Sequence, residues 1–320
     1  MTDPPAETAA PDSPDEMPTR PTRDRLALKI IGFVVGLALL GWIIYDAIAT
    51  QQFAGLSNAS PWQYAALLGC TLISVAANGG IFWAIIRPVA SVKLWDVQCV
   101  NAAVNLLNYA PIRLGILTRI AHHRRVDGLP YTILFGWYAA LAGLMFMTLG
   151  CVLLATLLRP QVDLWWLGIL ALLLIAGGAA CVAVGSHRLL AGRWQGASKM
   201  IAIPRAVALA VVLRLVDMAA YGGRLYLAIS ILGVPITQRD AVALTILSMV
   251  STLTPVGSVG FREFAIAKIG PMLTDPSLSR HIDAAVLLDR AGEVAVFIPL
   301  GVAALWWMAR AWRRATPAGA

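Results

Sequence analysis

The chain has 320 residues, 59% hydrophobic and 13% charged, with a mean hydropathy of +0.73 and a formal charge of +8. A soluble domain carries about 25% charged residues, whereas several apolar runs here reach the roughly 20 residues that a membrane helix requires. A soluble globular domain is thereby excluded, and the expected fold class is an all-α, polytopic integral membrane protein.

The charge is unevenly spread. Six of the seventeen acids (Asp3, Glu7, Asp12, Asp15, Glu16, Asp24) precede Leu26 together with three basic residues, leaving twenty-two basic against eleven acidic residues in the remainder. In a membrane chain such a surplus marks cytoplasmic loops and contact with anionic lipid. Anionic membrane lipids are therefore the expected partners, and nucleic acid is not. Cys70, Cys99, Cys151 and Cys181 lie in apolar runs without C-x-x-C spacing, so neither a disulfide nor a metal site is expected. His122 and His123 adjoin Arg124 and Arg125 and read as part of a basic loop. No metal, nucleotide loop or other cofactor is expected.

In chain order, residues 1–25 are rich in Pro, Asp, Glu, Ala and Thr and should form a disordered cytoplasmic tail. The charged leader and the apolar run after it are both too long for a signal peptide. One transmembrane domain is expected over 26–314, followed by a short cytoplasmic tail, 315–320. Its first span covers 28–49 and follows Arg20, Arg23, Arg25 and Lys29, which places the N-terminus inside by the positive-inside rule. The linker 46–61 has no Lys or Arg and reads as external. A second span covers 62–86.

The run 94–110 carries Asn101, Asn105 and Asn108 and ends at Pro111. Were it to cross, the basic residues after it would lie outside. A re-entrant hairpin that enters and leaves on the cytoplasmic side restores the charge asymmetry. Spans over 131–158 and 164–184, a basic loop over 186–205 and a span over 206–232 follow. A second broken segment, 241–273, enters from outside, and a last span over 283–308 returns the C-terminus to the cytoplasm. Counted this way, seventeen basic residues flank the cytoplasmic face and three the outer face. The halves 61–158 and 206–309 then have opposite orientation, as inverted repeats do.

Two short stretches interrupt the apolar runs: Ala110-Pro111-Ile112-Arg113-Leu114-Gly115, and Thr254-Pro255-Val256-Gly257-Ser258-Val259-Gly260-Phe261-Arg262-Glu263. A proline, glycines and charges at membrane depth are tolerated only where the backbone is buried in protein or lines a wet cavity, and ionisable groups there are functional candidates. The second stretch resembles the Pro-x-x-Gly-Gly-x-Gly-x-Arg-Glu motif of the lysylphosphatidylglycerol synthase transmembrane region, the flippase-like family. Asn108 to Gly115, with Arg119, is similar to that family's Pro-x-Arg-x-Gly motif, and Leu288-Asp289-Arg290 resembles its later arginine-bearing helix. Ser258 stands in place of the motif's second glycine, Ile116 where an acid is common, and the helix from Tyr131 lacks the family's Glu-Arg pair. The resemblance implies the lipid-handling membrane part of such proteins and not the aminoacyl-transferase reaction, whose soluble domain these 320 residues do not include.

Arg214, Asp217, Tyr221 and Arg224 are spaced 3, 4 and 3, which sets them on one helix face. Asp289 and Glu293 are four apart beside Arg290. Arg113, Arg119, Arg262 and Glu263 lie near the breaks at Pro111, Gly115, Pro255, Gly257 and Gly260. Half-helix N-termini favour anions, and the guanidinium fork matches phosphate. All these residues form the expected substrate site, which would bind and translocate an anionic lipid or lipid-linked glycan. Against this, Arg214 with Asp217, and Arg262 with Asp289 or Glu293, could be neutralising pairs that fasten helices, and the three asparagines an interhelical hydrogen-bonding row. The alternatives in function are a membrane-embedded transferase, with Glu263, Asp289 or Glu293 as acid or base, and an accessory subunit to a lipid-modifying protein or glycosyltransferase. The cytoplasmic (inner) membrane is the expected location.

Overall fold

The computed structural model describes residues 23–53, 56, 59–110, 114–187, 195–252, 260–274 and 281–315, with backbone alone at 23–30 and 195. Eleven α-helices and no strand occur among the described residues. They are α1 (Arg23–Ala49), α2 (Pro61–Ile86), α3 (Leu94–Leu107), α4 (Leu114–Val126), α5 (Tyr131–Leu158) and α6 (Leu164–Ser186). The remainder are α7 (Gln195–Ile201), α8 (Pro204–Ile231), α9 (Gln238–Ser251), α10 (Phe261–Leu273) and α11 (Ile282–Ala315).

Six of them (α1, α2, α5, α6, α8 and α11) are long and apolar enough to cross a bilayer. Their outward faces are hydrocarbon, as at Leu172 (68% exposed) and Ile175 (71% exposed) on α6, which water would not tolerate and lipid does. The chain is an integral membrane protein. Local chemistry starts several helices. Ser60 accepts the Gln63 amide at 3.4 Å while Gln63 accepts the Ser60 amide at 2.9 Å, with Pro61 at the first helical position of α2. Asp163 accepts the Trp166 amide at the start of α6, and Thr237 the Asp240 amide at the start of α9. Each satisfies a donor that the first helical turn leaves open.

The elements that set up the interior are the short pairs α3/α4 and α9/α10. Helices of 13 or 14 residues are about 20 Å long, short of the roughly 30 Å hydrocarbon core. Both pairs pack on α11 but from opposite ends. Near its start, Asp283 lies 3.7 Å from Lys268 of α10. At its middle, Glu293 meets Arg262 in the first turn of α10, and Phe297 meets Tyr109, just beyond α3, at 6.2 Å between ring centres. Towards its end, Ala304 and Met308 cluster with Val100 and Ala103 of α3, and Trp312 donates to His122 of α4 at 2.9 Å. The end of α3 and the beginning of α10 thus converge at mid-length on α11.

Several expectations need correction. Residues 23–25, expected in the disordered tail, are helical, because α1 continues past its apolar run; residues 1–22 lie outside the described residues. Ala315, placed in the C-terminal tail, ends α11, and 316–320 are not described. The loop 186–205 contains α7, which seats against α5: a Cβ on Gly136 would come within 2.8 Å of the Ala197 amide nitrogen. His122 and His123 are not in a loop. Both are fully buried on α4, His122 against Trp307 and Trp312 and His123 against Trp137. The four cysteines are free and half-buried.

Candidate functional site

Most of the singled-out charges gather where the helices converge. Glu263 sits at the third position of α10 and turns one oxygen back to accept the Gly260 amide at 2.7 Å. That contact caps the helix and aims the other oxygen, Oε1, at Arg262 Nε (3.2 Å) and Arg290 Nε (3.3 Å). The turn requires glycine at 260: φ is +84°, and a Cβ there would meet the Gly36 carbonyl of α1.

Arg262 continues to Asp289 Oδ2 (3.1 Å) and Glu293 Oε2 (2.9 Å). Arg224 of α8 is hydrogen-bonded through Nε to Asp289 Oδ1, with a second nitrogen 3.3 Å from Oδ2. Arg290 closes the network on Glu293 at 2.9 Å. Tyr221 lies beneath Arg224 and Arg262, at 4.6 and 5.7 Å from ring centre to guanidinium carbon, and shares a hydrogen bond with Ser248. Three guanidinium groups meet three carboxylates, each residue at most 9% exposed. Charges removed this far from water persist only when matched and hydrogen-bonded.

This network forms one wall of a cavity of about 430 Å³, to which Arg262, Arg290 and Glu293 contribute. Arg214 and Asp217 face it as a second ion pair at 2.7 Å, with Ser74 of α2 donating to Asp217 at 2.6 Å. The rest of the lining is amide, hydroxyl and aromatic, including Asn78, Asn105, Asn108, Tyr109, Tyr138 and Phe297. Arg290 stacks on the Tyr109 ring at 4.5 Å, and among the described residues its Nη2 has no hydrogen-bond partner; neither do the Tyr109 and Tyr138 hydroxyls.

The described cations and carboxylates of the network balance, three against three. The pairings anticipated as fasteners, Arg214–Asp217 and Arg262 with both Asp289 and Glu293, are present. The three acids considered for acid–base chemistry are all engaged in ion pairs. The asparagine row divides. Asn101 donates to the Val75 carbonyl and accepts from Arg119, while Asn105 and Asn108 face the cavity.

Among the described residues of the expected site, Gly115, Arg119, Arg224, Gly260, Glu263 and Asp289 do not line the cavity. Arg224 belongs to the ion-pair network without reaching the cavity wall. Arg119, counted among the cytoplasmic basic residues, is instead 2% exposed and held over the Phe82 ring at 3.4 Å, with Asn101 as hydrogen-bond partner at 2.7 Å. Its Nε and Nη1 have no partner among the described residues, and burial brings its pKa down to about 10, so it remains charged at neutral pH. Gly115 lets α4 approach α3: a Cβ would come within 2.3 Å of Asn108 Oδ1 and 2.7 Å of the Val104 carbonyl. Pro111, Arg113, Pro255 and Gly257 lie outside the described residues.

Ser74, Asn78 and Tyr138 were missed from sequence. The signal for the first two was present: polar residues four apart within the apolar run of α2 share one helix face. No such pattern marks Tyr138. No protein-family model, curated protein or solved structure matches the chain.

Proposed function

We propose that this protein binds, and moves between membrane leaflets, an anionic lipid or a lipid-linked glycan, as its resemblance to the flippase-like transmembrane region implies. In this reading the α3/α4 and α9/α10 pairs re-enter from opposite faces of the cytoplasmic membrane, both termini are cytoplasmic, and the halves 61–158 and 206–309 are inverted repeats. The approach of the two pairs to opposite ends of α11 supports that topology, as does the brevity of their helices.

The observation that carries the function is the cavity at the meeting point, walled by Arg214, Arg262 and Arg290 and otherwise lined by amides and phenols. A buried pocket with unsatisfied donors stands ready for a polar group. Because the charges are balanced, a headgroup gains little from net attraction. It is recognised by hydrogen bonds, with the open Arg290 nitrogen available to a phosphate oxygen. A headgroup bearing both phosphate and hydroxyls suits that lining, while its chains remain in lipid.

Leaflet exchange of fluorescent anionic phospholipid in proteoliposomes tests this. Exchange should exceed that of protein-free vesicles and fall at least about tenfold, or 1.4 kcal/mol of barrier, in Arg290→Gln and in Asn105→Trp, which fills the cavity. Equal rates in the wild type and both variants would reject the site.

A further inference from the structure

A second cavity, of about 560 Å³, opens where α1, α10 and α11 meet, at the end of the fold away from Trp312 and His122. Asp46 enters it from the last turn of α1, Lys268 from α10, Asp283 from the first turn of α11 and His281 from the residue before that helix. Thr50 and Gln52 add neutral polar groups. Lys268 Nζ lies 3.2 Å from Asp46 and 3.7 Å from Asp283, with the Trp42 ring behind it at 5.4 Å.

One ammonium neutralises only one of two carboxylates. Asp46 takes the hydrogen bond. Asp283 is 3% exposed, with Gln52 beside it, and its Oδ1 has no hydrogen-bond partner among the described residues. The two carboxyl groups are nevertheless within side-chain hydrogen-bonding reach of each other. Oxygen atoms of two ionised carboxylates repel, and such a contact is favourable only when one group carries a proton and donates it.

We propose that Asp46 and Asp283 form a proton-binding site, holding one exchangeable proton between them. Protonated, the two carboxyl groups and Lys268 sum to zero; deprotonated, they carry a net negative charge, with Asp283 only 3% exposed. The proton enters from water by way of Asp46, whose side chain is 36% exposed, and passes to the buried Asp283. The site does not depend on the lipid reading, and its ligand is distinct. Asp283 does sit on α11, ten residues before Glu293, so proton binding alters the charge on a helix that also walls the other cavity.

Infrared difference spectra of the purified full chain in detergent, taken between acid and neutral pH without added lipid, provide the test. The expected result is a titrating carbonyl stretch of a protonated carboxyl group that disappears in Asp283→Asn and in Asp46→Asn. It should persist in Asp163→Asn, which alters an exposed pair elsewhere. Lys268→Met should tighten proton binding about tenfold or more, moving the titration up by about one pH unit. Should Asp283→Asn fail to fold, Asp46→Asn and Lys268→Met decide. A band that survives in Asp46→Asn, or a titration unmoved by Lys268→Met, overturns the proposal.

Discussion

The backbone at Gly260 approaches that of Gly36 so closely that a Cβ at 260 would lie 1.7 Å from the Gly36 carbonyl oxygen. Gly260 also has φ of +84°, so a side chain meets both strain and collision. Gly233 has a similar φ, +74°, but open space around it. Gly233→Ala should cost only the strain of a left-handed residue, about 1–2 kcal/mol. Gly260→Ala must in addition push α1 off α10, and should lower the melting midpoint in detergent much further or prevent folding. Equal midpoints for the two variants would mean that the close approach is not a constraint.

Asp289 accepts from two arginines, Arg224 and Arg262, and is fully buried. Asp289→Asn leaves two guanidinium groups to share the remaining carboxylates, and should destabilise by about 3–5 kcal/mol, as when one partner of a buried pair is removed. Replacing Asp289 and Arg224 together with apolar residues of similar volume should recover most of that loss. Denaturant titration of the three proteins measures it, and a double variant no better than the single one would contradict the account.

The helices were legible because their signals are local. The spans begun at Pro61 and Tyr131 follow from apolar length and from the prolines that bound them, and those helices end at Ile86 and Leu158 as the hydropathy predicts. The α7 helix was not legible: Gln195–Ile201 has no apolar period of its own and gains its place from the close contact with Gly136. The site was half legible. That Arg262 could pair with Asp289 or Glu293 was one of the alternatives the sequence left open, since buried charges need partners. That Arg224 would bond Asp289, 65 residues away, was not among them, because helical spacing gives the face a residue occupies and not the partner it meets. The charge balance depends on such pairings and so emerged only in three dimensions. The buried histidines were misread because two adjacent arginines dominate the local composition, while the tryptophans that cover His122 come from α11.

His122 sets a pH dependence. Burial, with His123 beside it, brings the His122 pKa from the ordinary 6.5 down to about 4, and its Nδ1 accepts the Trp312 indole N–H at 2.9 Å, a bond that the neutral ring makes. The unfolded chain takes up a proton near pH 6.5 that the folded one refuses until about pH 4. Stability is therefore full above about 6.5 and falls as pH drops through the window to 4, by about 3 kcal/mol from this group. Melting midpoints against pH should show that slope, and His122→Phe should flatten it. A slope unchanged in the variant assigns the effect to other groups.

Arg119 gives the last test, because its side chain contrasts with those of the network. Arg224 is buried with a carboxylate partner, whereas Arg119 is equally buried and, among the described residues, meets Asn101 and the face of Phe82 and no carboxylate. An aromatic face offers about 2 kcal/mol to a desolvated cation, less than the several kcal/mol of desolvation, so this arginine does not hold the fold together. Arg119→Gln should leave the melting midpoint unchanged or raise it, whereas Arg224→Gln should lower it by several degrees. If Arg119→Gln also slows lipid exchange in vesicles, the uncompensated charge serves transport, since a group that costs stability has no structural reason to be there. A melting midpoint that falls as far for Arg119→Gln as for Arg224→Gln would refute that distinction.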